Sequence, residues 1–349
     1  MEEKILFEND YQEGGHPAIL KRLADTNMLQ TVGYSCDRYC NQARELIKEL
    51  CKAPKAAVHF FVGGTQTNTT FIASVLRPHQ GVVCAESGHI NVHESGAIEN
   101  TGHKVISLAS ADGKINAQQV QECYDNHWND VTHEHMSQPG MVYISFPTEN
   151  GTLYSKEELT ALSQTCYKLQ LPLYIDGARM GYGLMSPQSD LSLSEIAQLS
   201  DAFYIGGTKV GALFGEALVI SNPKFQTDFR YQLKQRGGLL AKGRFLGLQF
   251  LSLLEDNLYF DISKQAVDHA LEIKEAFVKA GFPLLFDSYT NQQFPILPNS
   301  IKEQLAKRYL FAHWCSVDDS HTAVRFCTSW ATSKQQVDTL IKDIENLNA

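Results

Sequence analysis

Short apolar runs punctuate the chain as far as residue 221, and between them apolar residues recur at helical spacing. The runs predict strands at His59–Val62, Val82–Glu86, Val105–Leu108, Met141–Phe146, Leu171–Asp176, Ala202–Gly206 and Ala217–Ser221. Met141-Val142-Tyr143-Ile144-Ser145-Phe146 lacks the alternation of a strand with one wet face, so both faces of this sheet are expected to lie under helices. Ala43, Leu46, Ile47 and Leu50 follow i, i+3, i+4, i+7, and Ser155 followed by Glu158 opens a second helix with a capping box ahead of Leu159, Leu162 and Cys166. Alternating strand and helix predicts an α/β fold with an open, mainly parallel sheet.

After Gly243 the texture changes. Long helical patterns (Phe245–Asn257, Ile262–Ala280) lead into extended runs at Pro283–Phe286, Gln293–Leu297 and Val324–Thr328. A helix is expected near Ile301–Tyr309, and a last one starts at Ser333, with Gln336 completing its cap and Val337, Leu340, Ile341 and Ile344 on one face. The chain of 349 residues exceeds one hydrophobic core. A large domain over 1–243, including an N-terminal segment, and a smaller α+β domain over 244–349 are therefore expected.

Apolar residues at 43% and charged residues at 20% are ordinary for a globular protein. The net charge of −9 leaves no basic footprint for a nucleic-acid partner. Met1 is followed by Glu2, Glu3 and Lys4, which is no signal peptide, and no apolar run approaches the roughly 18 residues of a membrane span. The eight cysteines show no C-x-x-C pair, which favours reduced thiols in the cytoplasm over disulfides or a metal.

Four features fall at strand ends or in the turns that follow, where open α/β sheets bind ligands. Gly63-Gly64-Thr65 precedes an apolar helix, so its backbone could approach an anion while free helix-end amides point at it; a plain glycine turn and cap is the alternative. Gly88-His89-Ile90-Asn91-Val92-His93-Glu94 offers an imidazole to stack on a flat heterocycle or move a proton; surface histidines or a metal pair are the alternatives. Leu173-Tyr174-Ile175-Asp176-Gly177-Ala178-Arg179 runs into a carboxylate that needs a cationic or hydrogen-bonding partner, either a ring nitrogen or Arg179 itself. Tyr204-Ile205-Gly206-Gly207-Thr208-Lys209 places a lysine at a buried strand end, where desolvation would free its amine as a nucleophile. Together they match the needs of pyridoxal 5′-phosphate: a phosphate cradle, a stacking partner, a carboxylate for the ring nitrogen and a lysine for the aldehyde.

The order Gly-Gly-Thr, His, Asp-Gly-Ala-Arg, Thr-Lys resembles the fold-type I pyridoxal-phosphate enzymes, and in detail the low-specificity threonine aldolase and β-eliminating lyase family. The likeness runs from Asn9-Asp10 through Val32-Gly33-Tyr34 to Val324-Arg325-Phe326. It implies an aminotransferase-like large domain and a homo-oligomer, a dimer or a tetramer of two dimers, with active sites at subunit interfaces. By the resemblance, Gly63, Gly64, Thr65 and Thr208 belong to the cofactor site, with His89 stacking, Asp176 on the ring nitrogen and Lys209 bonded to the cofactor. Lys242 is the nearest match to a basic residue reaching a neighbouring subunit's phosphate. Arg179 and Arg325 would hold the substrate carboxylate, Arg179 also touching the cofactor, while Asn9, Tyr34 and Asp37 match an active-site segment.

Asn9 stands where many relatives have Ser, and Glu149 of Thr148-Glu149-Asn150 where many have His. The implied reaction is cleavage of L-threonine or L-allo-threonine to glycine and acetaldehyde, with His89, His93, Glu149 or a water taking the β-hydroxyl proton. Glu149 also motivates β-elimination or amino-group transfer as alternatives, and a catalytically silent binding protein of this fold is a third.

Overall fold

The computed structural model describes residues 4–348; Met1–Glu3, where the signal-peptide reading falls, and Ala349 lie outside the described residues. A two-residue strand, β1 (Ile5–Leu6), comes first. The next seven, β2 (Ala57–Phe61), β3 (Gln80–Ala85), β4 (Val105–Leu108), β5 (Gln138–Ser145), β6 (Leu173–Asp176), β7 (Ala202–Gly206) and β8 (Glu216–Ile220), form one sheet in the order β2-β8-β7-β6-β5-β3-β4. From β4 to β7 every pairing is parallel; β8 runs against its neighbours, which returns β2 to the common direction. The sheet is thus mainly parallel, in an α/β fold. All seven expected runs are strands, with ends displaced by a few residues. β6 starts at Leu173 because Pro172 has no amide to give the ladder, and β5 stops before Pro147 for the same reason.

Side chains alternate between the two faces along each strand. Val142, Ile144, Leu173, Ile175, Phe203 and Ile205 enter one core, with the helices Arg38–Leu50, Lys156–Leu169 and Arg244–Leu254. Met141, Tyr143, Tyr174 and Tyr204 enter the other, under the helix Gly64–Val75. Fully burying side chains of this size contributes roughly 1.5–3 kcal/mol each. The same alternation puts Asp176 on the face of Tyr174, and Ser145, in register with Asp176, on the face of Tyr143. The expected Ser155–Glu158 and Ser333–Gln336 capping boxes both form.

In the C-terminal part β9 (Gln292–Gln293), β10 (Ile296–Pro298) and β12 (Ala312–Ser316) pair antiparallel with β13 (His321–Cys327), while β11 (Tyr309–Leu310) pairs parallel with β1. β12 and β11 have no counterpart among the expected strands, and Tyr309, expected at a helix end, sits in β11. Residues 283–286 hold a single bridge, Leu284 to Pro295. The helix Leu258–Lys279 runs between two cores: Tyr259, Ala266 and Val267 join the first, whereas Ile273, Ala276 and Phe277 meet Phe7, Leu297, Val324 and Leu340. No helix among the described residues is long and apolar enough to cross a membrane.

The turn after β6 presses on β7. A Cβ on Gly177 would stand 1.8 Å from the Tyr204 carbonyl oxygen, a contact that backbone must move to relieve. Gly177→Ala is expected to lower unfolding free energy by about 1–3 kcal/mol or more in a denaturant titration. Gly14→Ala, with nothing within 4 Å of the added carbon, should leave the midpoint unchanged; equal midpoints for the two variants would refute the packing argument.

Candidate active site

The sheet's C-terminal edge opens onto a cavity of about 190 Å³ lined by Gly63, Gly64, Thr65, His89, Glu149, Asp176, Arg179, Thr208 and Lys209, with Tyr204 and Glu216. Beyond it lies a wider space of about 650 Å³, which shares His89, Glu149, Arg179 and Lys209 and adds Tyr11, His93, Trp314 and Arg325. All four predicted motifs therefore face one cavity. β8 starts at this edge because it runs opposite to the other strands, which brings Glu216 to the same place.

Asp176 is buried at the end of β6. One carboxylate oxygen accepts from the Tyr143 hydroxyl at 2.6 Å and the Asn68 amide at 3.1 Å; the other accepts from the Tyr204 hydroxyl at 2.5 Å and the Ala178 amide at 3.0 Å. Burial alone would push this carboxyl up, but the His89 charge, both tyrosine hydroxyls and the Ala178 amide outweigh it and hold the pKa below its usual value. The group is an ionised acceptor at neutral pH.

His89 caps the other side. Its Nδ1 lies 2.7 Å from Glu94 Oε1, which also accepts from Asn68 at 2.8 Å. Burial works against the imidazolium, yet the Glu94 hydrogen bond and the Asp176 and Glu94 charges prevail and raise its pKa. Glu149 Oε1 accepts from the His89 backbone amide at 2.9 Å and from the Ser145 hydroxyl at 2.7 Å, and burial raises its pKa against the Ser145 bond, with Asp176 adding to the rise.

Lys209 follows the turn after β7. Burial lowers its pKa and the Arg179 charge lowers it further, against Asp10, Asp176 and Glu216. Arg179 is clamped by Asp10, with Nε and Nη2 donating at 2.7 and 2.9 Å, and Asn291 donates to the same carboxylate at 2.9 Å. Arg325 donates to the Gln292 side chain and the Glu8 carbonyl, leaving its buried Nε without a partner.

These residues fit a phosphorylated pyridine aldehyde. A Cβ on Gly63 would meet nothing within 4 Å, so the space in front of the helix Gly64–Val75 is open. The first bond into that helix's start is Thr67 to Gly63, which leaves the preceding amides for an anion. An ionised carboxylate and a desolvated amine line the same cavity. No group of three or more His, Cys, Asp or Glu side chains converges as a metal site among the described residues.

Four predicted residues lie elsewhere. Asn9 accepts from the Tyr11 amide and lines neither space; its neighbour Asp10 also lines neither but meets the site through its pair with Arg179. Tyr34, Asp37 and Lys242 gather on another face: the Tyr34 amide donates to the Ala241 carbonyl, its ring lies 4.9 Å from Lys234 Nζ, and Asp37 caps the helix Arg38–Leu50. The site residues not predicted are Asp10, Asn68, Glu94, Tyr143, Tyr204 and Glu216. Alternation along β5 and β7 could have shown the two tyrosines turned toward the face of Asp176. Asp10 and Glu216 carry no such local signal.

The sequence model of the Beta-eliminating lyase family matches residues 8–299. A low specificity L-threonine aldolase of a Pseudomonas species is 29% identical over 347 residues, covering 97% of this chain and 96% of the relative. A solved structure of the Leishmania major threonine aldolase is 42% identical, with a TM-score of 0.96 over 99% of this chain and all of the other. Thermus thermophilus aspartate aminotransferase, 10% identical with a TM-score of 0.71 over 99% of this chain and 91% of its own, shares the fold.

The Asp10–Arg179 pair gives a stability prediction. Asp10 is buried, and although burial alone would raise its pKa, the Arg179 and Lys209 charges with the Arg179 and Asn291 hydrogen bonds bring it from 3.8 to about 2. A depressed carboxyl stabilises the fold above its unfolded pKa and loses that contribution as pH falls through the folded one. Asp10→Ala should cost about 3–5 kcal/mol at neutral pH by leaving a buried guanidinium unpaired. The gap to wild type in urea titrations should narrow as pH falls from 3.8 toward about 2; a gap that does not change with pH refutes this.

Proposed function

The chain belongs to the β-eliminating lyase family, and from that premise we propose that it is a pyridoxal-phosphate lyase cleaving L-threonine and L-allo-threonine to glycine and acetaldehyde. One observation carries the reading: the Gly63–Thr65 turn, Asp176 and Lys209 line a single cavity. Bound pyridoxal phosphate supplies an electron-withdrawing ring that takes up the electron pair released when Cα–Cβ breaks.

The chain's own groups do the rest. Lys209, uncharged more readily than an ordinary lysine, would be the amine that holds the cofactor's aldehyde, and it lines the cavity within reach of any substrate amine that enters. Asp176, ionised, would keep the ring nitrogen protonated, and His89 would be the imidazole available to stack on the ring. Gly63, Gly64, Thr65 and Thr208 would hold the phosphate. Arg179, its direction fixed by Asp10, and Arg325, with its unpartnered Nε, receive the substrate carboxylate and orient the bond to be broken. Glu149 accepts the β-hydroxyl proton: it borders both spaces and is held by Ser145 and the His89 amide.

The face carrying Tyr34, Asp37 and Lys242, beside exposed Met28 and Val32, supports a homo-oligomer in which it meets a neighbouring copy's site. Eight free cysteines support a cytoplasmic location. The expected division at residue 243 falls at the cap of a helix whose Leu246, Leu248 and Phe250 belong to the large core. The packing of the helix Leu258–Lys279 supports a division within that helix instead.

Incubation with L-threonine and L-allo-threonine should yield glycine and acetaldehyde; ammonia with a 2-oxo acid would mark β-elimination instead. Lys209→Ala should abolish turnover and the visible absorbance of the holoenzyme, and full activity in that variant would refute the assignment. A base must be ionised, so kcat should rise with pH through a value above 4.5, the ordinary pKa from which Glu149 is raised. Glu149→Gln should lower kcat by about 10²–10⁴-fold and remove that ascending limb; an unchanged limb would assign the proton to another group.

A further inference from the structure

Glu216 is a carboxyl in the wrong place for an anion site. Its residue is in register with Phe61 at the end of β2, two residues before the Gly63 turn, and with Gly206 at the end of β7, three before Lys209. It therefore lies between the glycine cradle and the lysine, buried, and lines the inner cavity. Its Oε1 is 2.8 Å from the Thr208 hydroxyl, and its Oε2 accepts from the Gly207 amide at 3.2 Å.

The only hydrogen of the hydroxyl beside it is committed. Thr208 Oγ1 already accepts from the Gly215 amide at 3.0 Å, and a hydroxyl has one hydrogen and two lone pairs. While Glu216 is ionised, that hydrogen is spent on the carboxylate, and a second negative charge faces whatever anion enters the cradle. Once Glu216 carries a proton it donates to the second lone pair of Thr208, the charge is gone, and the Thr208 hydrogen is free to turn to the anion.

We infer that the phosphate group is seated with Glu216 protonated, so that this carboxyl decides whether Thr208 can donate to the phosphate and makes cofactor retention fall at alkaline pH. The inference rests on the cofactor reading above. Burial supports it by bringing the Glu216 pKa to about 8, against the Thr208 bond and the Lys209 charge and with the Asp176 charge. The titratable groups that face it are Asp176 and Tyr174 from β6, Tyr204 from β7, Lys209 from the turn and Tyr259 from the helix Leu258–Lys279. Burial raises the pKa of each of these tyrosines well above 10.0, so they stay neutral across the window concerned.

The test is equilibrium binding of pyridoxal phosphate and of pyridoxal, which lacks the phosphate, to the apoenzyme between pH 7 and pH 9.5. Taking the ratio of the two affinities removes the titration of Lys209 and of the ring, which both ligands share. In wild type the ratio should fall with pH, approaching roughly tenfold per pH unit above the carboxyl's pKa. Glu216→Gln, which keeps a donor and cannot ionise, should hold the ratio flat and near its wild-type value at pH 7. If that variant does not fold, Thr208→Val should give a lowered ratio that no longer falls as steeply. A flat ratio in wild type, or an equal slope in wild type and Glu216→Gln, overturns the inference. Failure of wild type to bind pyridoxal phosphate at any pH instead overturns the cofactor reading beneath it.

Discussion

A carboxylate taken out of water stays ionised only if donors replace the solvent, and the site is organised around meeting that demand at Asp176. Tyr143, Tyr204, Asn68 and the Ala178 amide supply the donors. Each comes from a different piece of chain: β5, β7, the helix after the glycine turn and the turn after β6. Meeting the requirement therefore fixes how these elements stand relative to one another. Gly177 lies against β7 in this arrangement, where a Cβ would meet the Tyr204 carbonyl oxygen. The glycine turn is tied into the same arrangement through Asn68, which joins Asp176 to Glu94 and so to His89.

Charge is balanced in two tiers. Asp10 and Arg179 neutralise each other in a clamp with full geometry, which fixes a guanidinium at the boundary between the inner and outer spaces. Lys209, Glu149 and Glu216 lack such partners, and burial drives each toward its uncharged form. Groups of the first tier hold shape, whereas those of the second have their titration moved by burial in the direction of neutrality, which suits a site handling amines, hydroxyls and phosphate. Glu149 illustrates the difference: its surroundings raise the pKa of a carboxyl at a position where many relatives carry an imidazole, which makes its carboxylate a stronger base than an exposed one.

The seven buried runs, their helical connections and the four strand-end motifs were legible in the chain because periodicity and punctuation are local properties. Lys209, Asp176, His89 and Gly63–Thr65 were legible for a related reason, since a polar residue ending an apolar run has few structural uses. Asn9 was expected from a family pattern, whereas its neighbour Asp10 is the residue that pairs with Arg179. Tyr34 and Lys242 followed a family pattern and lie on a face that a single chain does not bring to its own cavity.

By itself, then, the sequence determined the α/β alternation, the capped helices and the groups able to hold a pyridine aldehyde phosphate. Tertiary structure alone decided that β8 runs backwards and delivers Glu216 to the cavity, between the Gly63 turn and Lys209. It also decided that Asp10 reaches across 169 positions to clamp Arg179, and that tyrosines from two strands keep Asp176 charged. These are contacts between residues far apart in the chain, set by strand order and direction, and no local pattern of hydrophobic and polar positions encodes which strand ends will meet.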